Sequence, residues 1–149
     1  MSADHGGFDL KNEMVEFLGA RGFETQDLGA HSLDPDDDYP DFAALVARAV
    51  AGGDADRGII FCGSGVGASV AANKLSGVRA AVCHDTYSAA QGVEHDDMNV
   101  LAIGARVVGP ALARDLVLAF LSAKLDSHPR FQRRLDKLQA LEDEGPSGI

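Results

Sequence analysis

Residues 58–69 read GIIFCGSGVGAS. The first five, GIIFC (58–62), are short, apolar and β-rich, which predicts a strand buried on both faces as in a parallel sheet. A glycine-rich turn follows at once, and a helix is expected from about 67 to 75. Strand, turn and helix in this order make up most of a strand–helix–strand unit. Its flanks decide whether the unit is repeated.

They repeat it. VRAAVC (78–83) and NVLAIG (99–104) are two further strands of the same kind, with a helix near 87–93 between them. Upstream, residues 8–21 place Leu10, Met14, Val15, Phe17 and Leu18 at helical spacing, and Gly22 is the stop. Residues 23–28 are a short strand candidate. A loop rich in Asp and Pro then leads to a helix over about 40–51, where Pro40 suits a first-turn position. Residues 110–124 read as a long apolar helix. Residues 129–142 read as a strongly charged one that belongs on a surface or against a partner, with a frayed tail at 144–149. This alternation predicts an α/β fold, a parallel sheet covered by helices on both faces. One feature is odd: SADHGG (2–7) looks like the polar end of a strand-to-helix turn, yet nothing apolar precedes it. Either the fold lacks its first strand or the polypeptide begins upstream of Met1, and a shortened N-terminus fits best.

The bulk numbers narrow the function. At 149 residues the chain suits one domain, 1–149, with a real core. With 46% hydrophobic and 24% charged residues, it is ordinary globular material. No apolar run approaches the roughly 18 residues that span a bilayer, and no signal-peptide pattern opens the chain, so a cytoplasmic protein is expected. A net charge of -10 argues against a nucleic-acid partner. It leaves room for a small phosphorylated ligand, which needs only a few local cations. The two cysteines, Cys62 and Cys83, are expected as free thiols.

Ligands of open α/β sheets bind at the carboxyl ends of the strands. Asp4-His5, residues 62–67, Cys83-His84-Asp85 and the Arg106 turn all fall there, whereas His95 precedes a strand. GSGVGA (63–68) fits G-x-G-x-x-A with Asp85 at a suitable distance, but it follows an interior strand and the chain has little room for a second domain. A phosphate-binding P-loop is excluded because the closing G-K-[ST] is missing. A nucleophile elbow is excluded because Cys62 stands where G-x-S-x-G needs glycine. A cysteine phosphatase loop would want arginine at Ala68. What survives is a nest of backbone N–H groups at a helix start, suited to an anion and able to depress a thiol pKa. Position alone leaves Cys62 open between a buried small residue and an activated thiol. For Cys83, at the end of an apolar strand with no glycine nest, packing is the expectation.

DHGGFDLK (4–11), DYPD (38–41), GIIFCGSGVGASVAANK (58–74), GVRAAVCHDTYSA (77–89), EHDDMNVLAIGARVVG (94–109) and RFQRR (130–134) occur together and in order. Jointly they resemble the ribose-5-phosphate isomerase B family of sugar-phosphate isomerases, over nearly the whole chain. The resemblance implies a Rossmann-like sheet, no metal or nucleotide cofactor, and a site built across a dimer (or tetramer) interface, with the helix over about 125–144 reaching the partner subunit. It also implies aldose–ketose isomerisation through an enediolate, with ribose 5-phosphate the first choice. Allose 6-phosphate, galactose 6-phosphate or a tetrose phosphate are the alternatives, and a non-catalytic phosphosugar-binding module is a further one.

Carried over residue by residue, the resemblance makes Cys62 the carbon base and Ser64 the shuttle between substrate oxygens. His95 opens the ring and Asp4 takes substrate hydroxyl hydrogens. The backbone at Gly63, Gly65, Val66 and Gly67 faces the enediolate, and Tyr39 lines the sugar site. His5, Arg106, Arg130 and Arg134 hold the phosphate, the last two sharing one helix face. One departure stands out: relatives commonly carry Asn after the ring-opening histidine, and this chain has Asp96. A carboxylate there implies a different substrate, a shifted pH optimum, a rotated side chain or simply a solvent-facing acid.

Overall fold

The computed structural model describes residues 1–145. Its order is β1 (Ser2–Ala3), α1 (Phe8–Gly19), α2 (Tyr39–Ala51), β2 (Gly58–Cys62), α3 (Val66–Ala72), β3 (Ala80–Val82), α4 (Thr86–Asp96), β4 (Val100–Gly104), α5 (Pro110–Ser122) and α6 (Pro129–Glu144). The four strands lie in the order β1-β2-β4-β3, and every pairing is parallel. This is the expected α/β, Rossmann-like arrangement.

Strand periodicity sends alternate side chains of β2 to opposite faces. Ile59 and Phe61 pack with Met14 and Leu18 of α1, Val93 of α4, and Leu116 and Phe120 of α5. Ile60 and Cys62 face the other way, onto Ala43 and Val46 of α2 and Ala68 and Ala72 of α3. Each such large apolar side chain contributes roughly 1.5–3 kcal/mol when fully buried. Alanines at 43, 47, 68 and 72 are completely buried, so α2 and α3 lie close to the sheet. Cys62 therefore ends a strand on its tightly packed face.

The first strand is present but only two residues long, pairing Ser2 with Ile60 and Ala3 with Phe61. No strand forms over 23–28. Only the end of that segment reaches β1, where Leu28 N donates to Met1 O (2.9 Å) and Ala3 N donates to Gly29 O (2.8 Å). A two-residue strand offers too little edge to hold a regular ladder, so the neighbouring chain covers it irregularly. Lys11 anchors this cover. Its fully buried ammonium donates to both oxygens of Asp27 (2.8 and 2.9 Å) and to Ala30 O (2.9 Å).

Other boundaries moved for local reasons. The fourth helix starts at Thr86 because the Asp85 carboxylate accepts from Ser88 N (2.7 Å), a side-chain cap the apolar pattern does not register. The third strand is trimmed to Ala80–Val82, and Asn73 ties its start to the end of α3 through Ala80 N and O, both at 2.8 Å. Arg57 reaches across to the Phe120 and Ala123 carbonyls and closes the end of α5. Of the tail expected at 144–149, Glu144 ends α6, and 146–149 lie outside the described residues. Among the described residues, no helix is long and apolar enough to cross a membrane.

Candidate active site

Because β1, β2 and β4 are adjacent, their carboxyl ends bring Asp4, Cys62 and Arg106 together. These line a cavity of about 410 Å³ with His5, Tyr39, Gly63, Ser64 and Gly67, among others. Eight of the sequence-derived site residues thus meet in one place.

The turn after β2 works because Gly65 adopts φ +81°, a conformation L side chains rarely take, and α3 starts directly after it. The Gly65 and Gly63 amides are turned toward the Cys62 sulfur. Ser64 is exposed, and its Oγ accepts from Val66 N at 3.3 Å. Val66 itself presents a backbone donor at this turn but does not line the cavity, and its side chain is exposed. Tyr39 opens α2 and lays its ring over Gly67, where an added Cβ would stand 2.7 Å from the ring. A side chain at position 67 would push the tyrosine out of the cavity wall.

Asp4 is buried (5% exposed), and its Oδ2 accepts from the Cys62 thiol at 3.1 Å. Gly7 N donates to its Oδ1 at 3.2 Å, so the carboxylate is fixed from two sides. The sequence reading expected helix-end dipoles to depress the Cys62 pKa. The opposite holds in this structure: burial pushes the thiol up, the Asp4 hydrogen bond and charge add to that, and the Gly65 and Gly63 amides offset it only in part. In the free chain Cys62 is a protonated thiol whose acceptor is already in place.

Two basic side chains face this cavity. Arg106 hangs from the turn after β4, where its backbone N donates to Gly63 O (3.0 Å). His5 follows Asp4 and is held by Asp37, a residue the sequence reading did not single out, through a 2.6 Å contact at Nδ1. Asp37 sits within a run of three aspartates, and nothing in such a run distinguishes the one folded inward. Asp4, His5 and Asp37 also place three donor atoms within 4.8 Å of one another, the one such group among the described residues.

The other expected residues lie elsewhere. His95, near the end of α4, stacks on Phe131 of α6 (centroids 4.0 Å apart, planes 12° from parallel), and its Nδ1 meets Gln91 Nε2 at 2.7 Å. Arg130 and Arg134 are exposed on α6, and Asp96 is an exposed acid at the end of α4. None of these four lines the Cys62 cavity. Cys83 is buried in the core, as its position suggested.

Residues 1–138 match the ribose/galactose isomerase family. The chain belongs to that family. Ribose-5-phosphate isomerase B of Escherichia coli (strain K12) is 50% identical over 139 residues, covering 93% of this chain and 92% of that one. D-erythrulose-4-phosphate isomerase of Pectobacterium atrosepticum is 41% identical over 129 residues, covering 85% and 83%. Among solved structures, ribose-5-phosphate isomerase B from Mycoplasma genitalium with bound ribulose-5-phosphate superposes with a TM-score of 0.90 at 42% identity, covering 96% and 94%. The ribose/galactose isomerase family thus accounts for the fold and for the whole set of motifs around Cys62.

Proposed function

We propose that this chain interconverts ribose 5-phosphate and ribulose 5-phosphate through an enediolate. The observation that carries the reading is the buried Cys62–Asp4 pair opening on the same cavity as the basic side chains of His5 and Arg106. Proton abstraction from the carbon beside a carbonyl needs a base, and phosphate needs the cations. Cys62, as thiolate, takes the C2 proton of the open-chain aldose and returns it to C1. The hydroxyl proton moves between O2 and O1 with Ser64 and Asp4 in reach, so no electrons leave the substrate. Amides of the 63–67 turn support the enediolate oxygens, an effect typically worth about 3 kcal/mol per donor.

His95, Arg130 and Arg134 enter this scheme from a second copy of the chain. Their separation from the cavity within one chain supports that arrangement. So does α6, which buries no residue and exposes Leu138 (46%) and Leu141 (67%). In this reading one domain forms a cytoplasmic homodimer or tetramer, with residues 125–144 reaching the neighbour, and neither metal nor nucleotide takes part.

Purified protein given ribose 5-phosphate is expected to form ribulose 5-phosphate. Binding without turnover of any aldose phosphate would mean a non-catalytic phosphosugar module instead. A four-carbon substrate is the second reading, favoured by the Pectobacterium relative. A panel of tetrose, pentose and hexose phosphates ranks them by kcat/KM. The shared site has its own test. Mixing a Cys62→Ala chain with an Arg130→Ala/Arg134→Ala chain should restore part of the activity in hybrid dimers. Confirmed hybrids that stay inactive would rule out arginines supplied in trans.

A further inference from the structure

We propose that Asp37 is a positioning residue that holds His5 with its Nδ1–H turned away, leaving Nε2 as the donor offered to the anionic end of the substrate. The proposal rests on the sugar-phosphate reading above and concerns a residue that does not line the cavity. One carboxylate oxygen, Asp37 Oδ1, takes both polar groups of His5: the backbone N at 3.0 Å and the ring Nδ1 at 2.6 Å. Backbone and ring are thereby pinned to the same atom, which leaves the imidazole little freedom to turn. With Nδ1 engaged, Nε2 is the ring nitrogen left to the cavity that His5 lines.

The two partners are unequally exposed, 34% for the His5 side chain and 9% for that of Asp37. The carboxylate is thus the shielded member, and its other oxygen, Oδ2, is buried with no hydrogen-bond partner. A buried carboxylate with an unused oxygen is costly unless a cation faces it. Imidazolium is the cation at hand. The charged groups facing the ring are Asp37, Asp4 and Arg106. The Asp37 hydrogen bond raises the His5 pKa, burial opposes it, the charges of Asp37 and Asp4 add to the rise, and Arg106 again opposes it. A raised pKa keeps the ring protonated to higher pH than a free histidine, and the protonated ring adds a second positive group beside Arg106 in a chain of net charge -10.

Two variants separate charge from geometry. Asp37→Asn keeps an acceptor for Nδ1 and removes the charge, and Asp37→Ala removes both. For Asp37→Ala, KM for ribose 5-phosphate is expected to rise about tenfold, with kcat within about twofold. For Asp37→Asn a smaller rise is expected at pH 6, growing faster toward pH 8 than in the wild type, because the ring loses its proton earlier. Titration of the His5 ring by NMR, without substrate, should show a lower pKa in both variants. Binding of inorganic phosphate should weaken in parallel. An unchanged His5 titration overturns the proposal, as does a fall in kcat at constant KM. Activity lost to a chelator and restored by a divalent cation also overturns it, since Asp4, His5 and Asp37 would then be a cation site. If the wild type turns over no sugar phosphate but the His5 pKa and phosphate binding still shift, the isomerase reading fails and the positioning role stands.

Discussion

Replacing Cys62 with alanine is expected to lower kcat for ribose 5-phosphate by about 10²–10⁴-fold, the usual contribution of a positioned general base. Substrate affinity should stay within a few-fold, because the groups proposed to hold the phosphate and hydroxyls, among them His5, Arg106, Asp4 and Tyr39, are left in place around the cavity. The variant loses little volume at a site that opens on solvent-accessible space, so it should fold. Stopped turnover with retained binding of ribose 5-phosphate would identify Cys62 as a group acting on the carbon. Full activity would remove it from the mechanism while leaving the family membership untouched. The pH dependence follows from the direction of the thiol shift. Burial and Asp4 hold Cys62 above the ordinary thiol range, so the reactive thiolate grows as pH rises. Alkylation of Cys62 by iodoacetamide, and kcat/KM on its acid limb, should both climb from neutral into alkaline solution. A rate of alkylation flat from pH 6 to 9 would contradict that.

Lys11→Met should be strongly destabilising although it lies away from the cavity, costing about 3 kcal/mol. Breaking a buried pair by removing one partner typically costs about 3–5 kcal/mol. The lower end applies because the Asp27 side chain is 29% exposed. Methionine fills the space but leaves the Ala30 carbonyl and Asp27 without the ammonium that joins them. For a chain of this size, that corresponds to a melting temperature lower by roughly 6–12 °C. The effect depends on pH in a definite sense. Burial would raise the Asp27 pKa, but the Lys11 hydrogen bond, the Gly29 N–H and the Lys11 charge together hold it below the ordinary carboxylate value. A depressed carboxylate contributes stability above its unfolded pKa and loses it as pH falls through the folded one. The gap between wild type and variant should therefore be full at pH 7 and narrow below about pH 4. Equal gaps at pH 7 and pH 3, read by thermal melts, would place the stabilisation elsewhere.

Lys11 also marks a limit of pattern reading. The spacing of Leu10, Met14 and Leu18 announces the apolar stripe of α1, and all three are buried. Lys11 lies on the same stripe and is buried as completely, a fact decided by Asp27 and Ala30 more than fifteen residues away in the chain. Asp37 escaped notice for the same reason. Three consecutive aspartates look alike until the loop folds and one of them meets His5. The misplaced strand at 23–28 has a different cause: its residues suit a strand, but the partner edge, β1, is only two residues long.

Local chemistry by itself was enough to specify the parallel α/β class, most helices to within a few residues, and the turn at Gly65, because side-chain periodicity and glycine conformation act over one or two turns of chain. It also marked Asp4, His5, Cys62 and Arg106 as strand-end residues. Strand order came only from the tertiary structure. The sheet places β4 between β2 and β3, so the ends of β1, β2 and β4 share one cavity and the end of β3 does not. Order depends on which faces pack after long crossovers, and no short stretch encodes that. The same folding set the Cys62 thiol. The glycine turn beside it brings amides that favour the thiolate, and the sequence predicts as much. Burial against α2 and α3, with the Asp4 carboxylate 3.1 Å away, outweighs those amides and keeps the proton on sulfur.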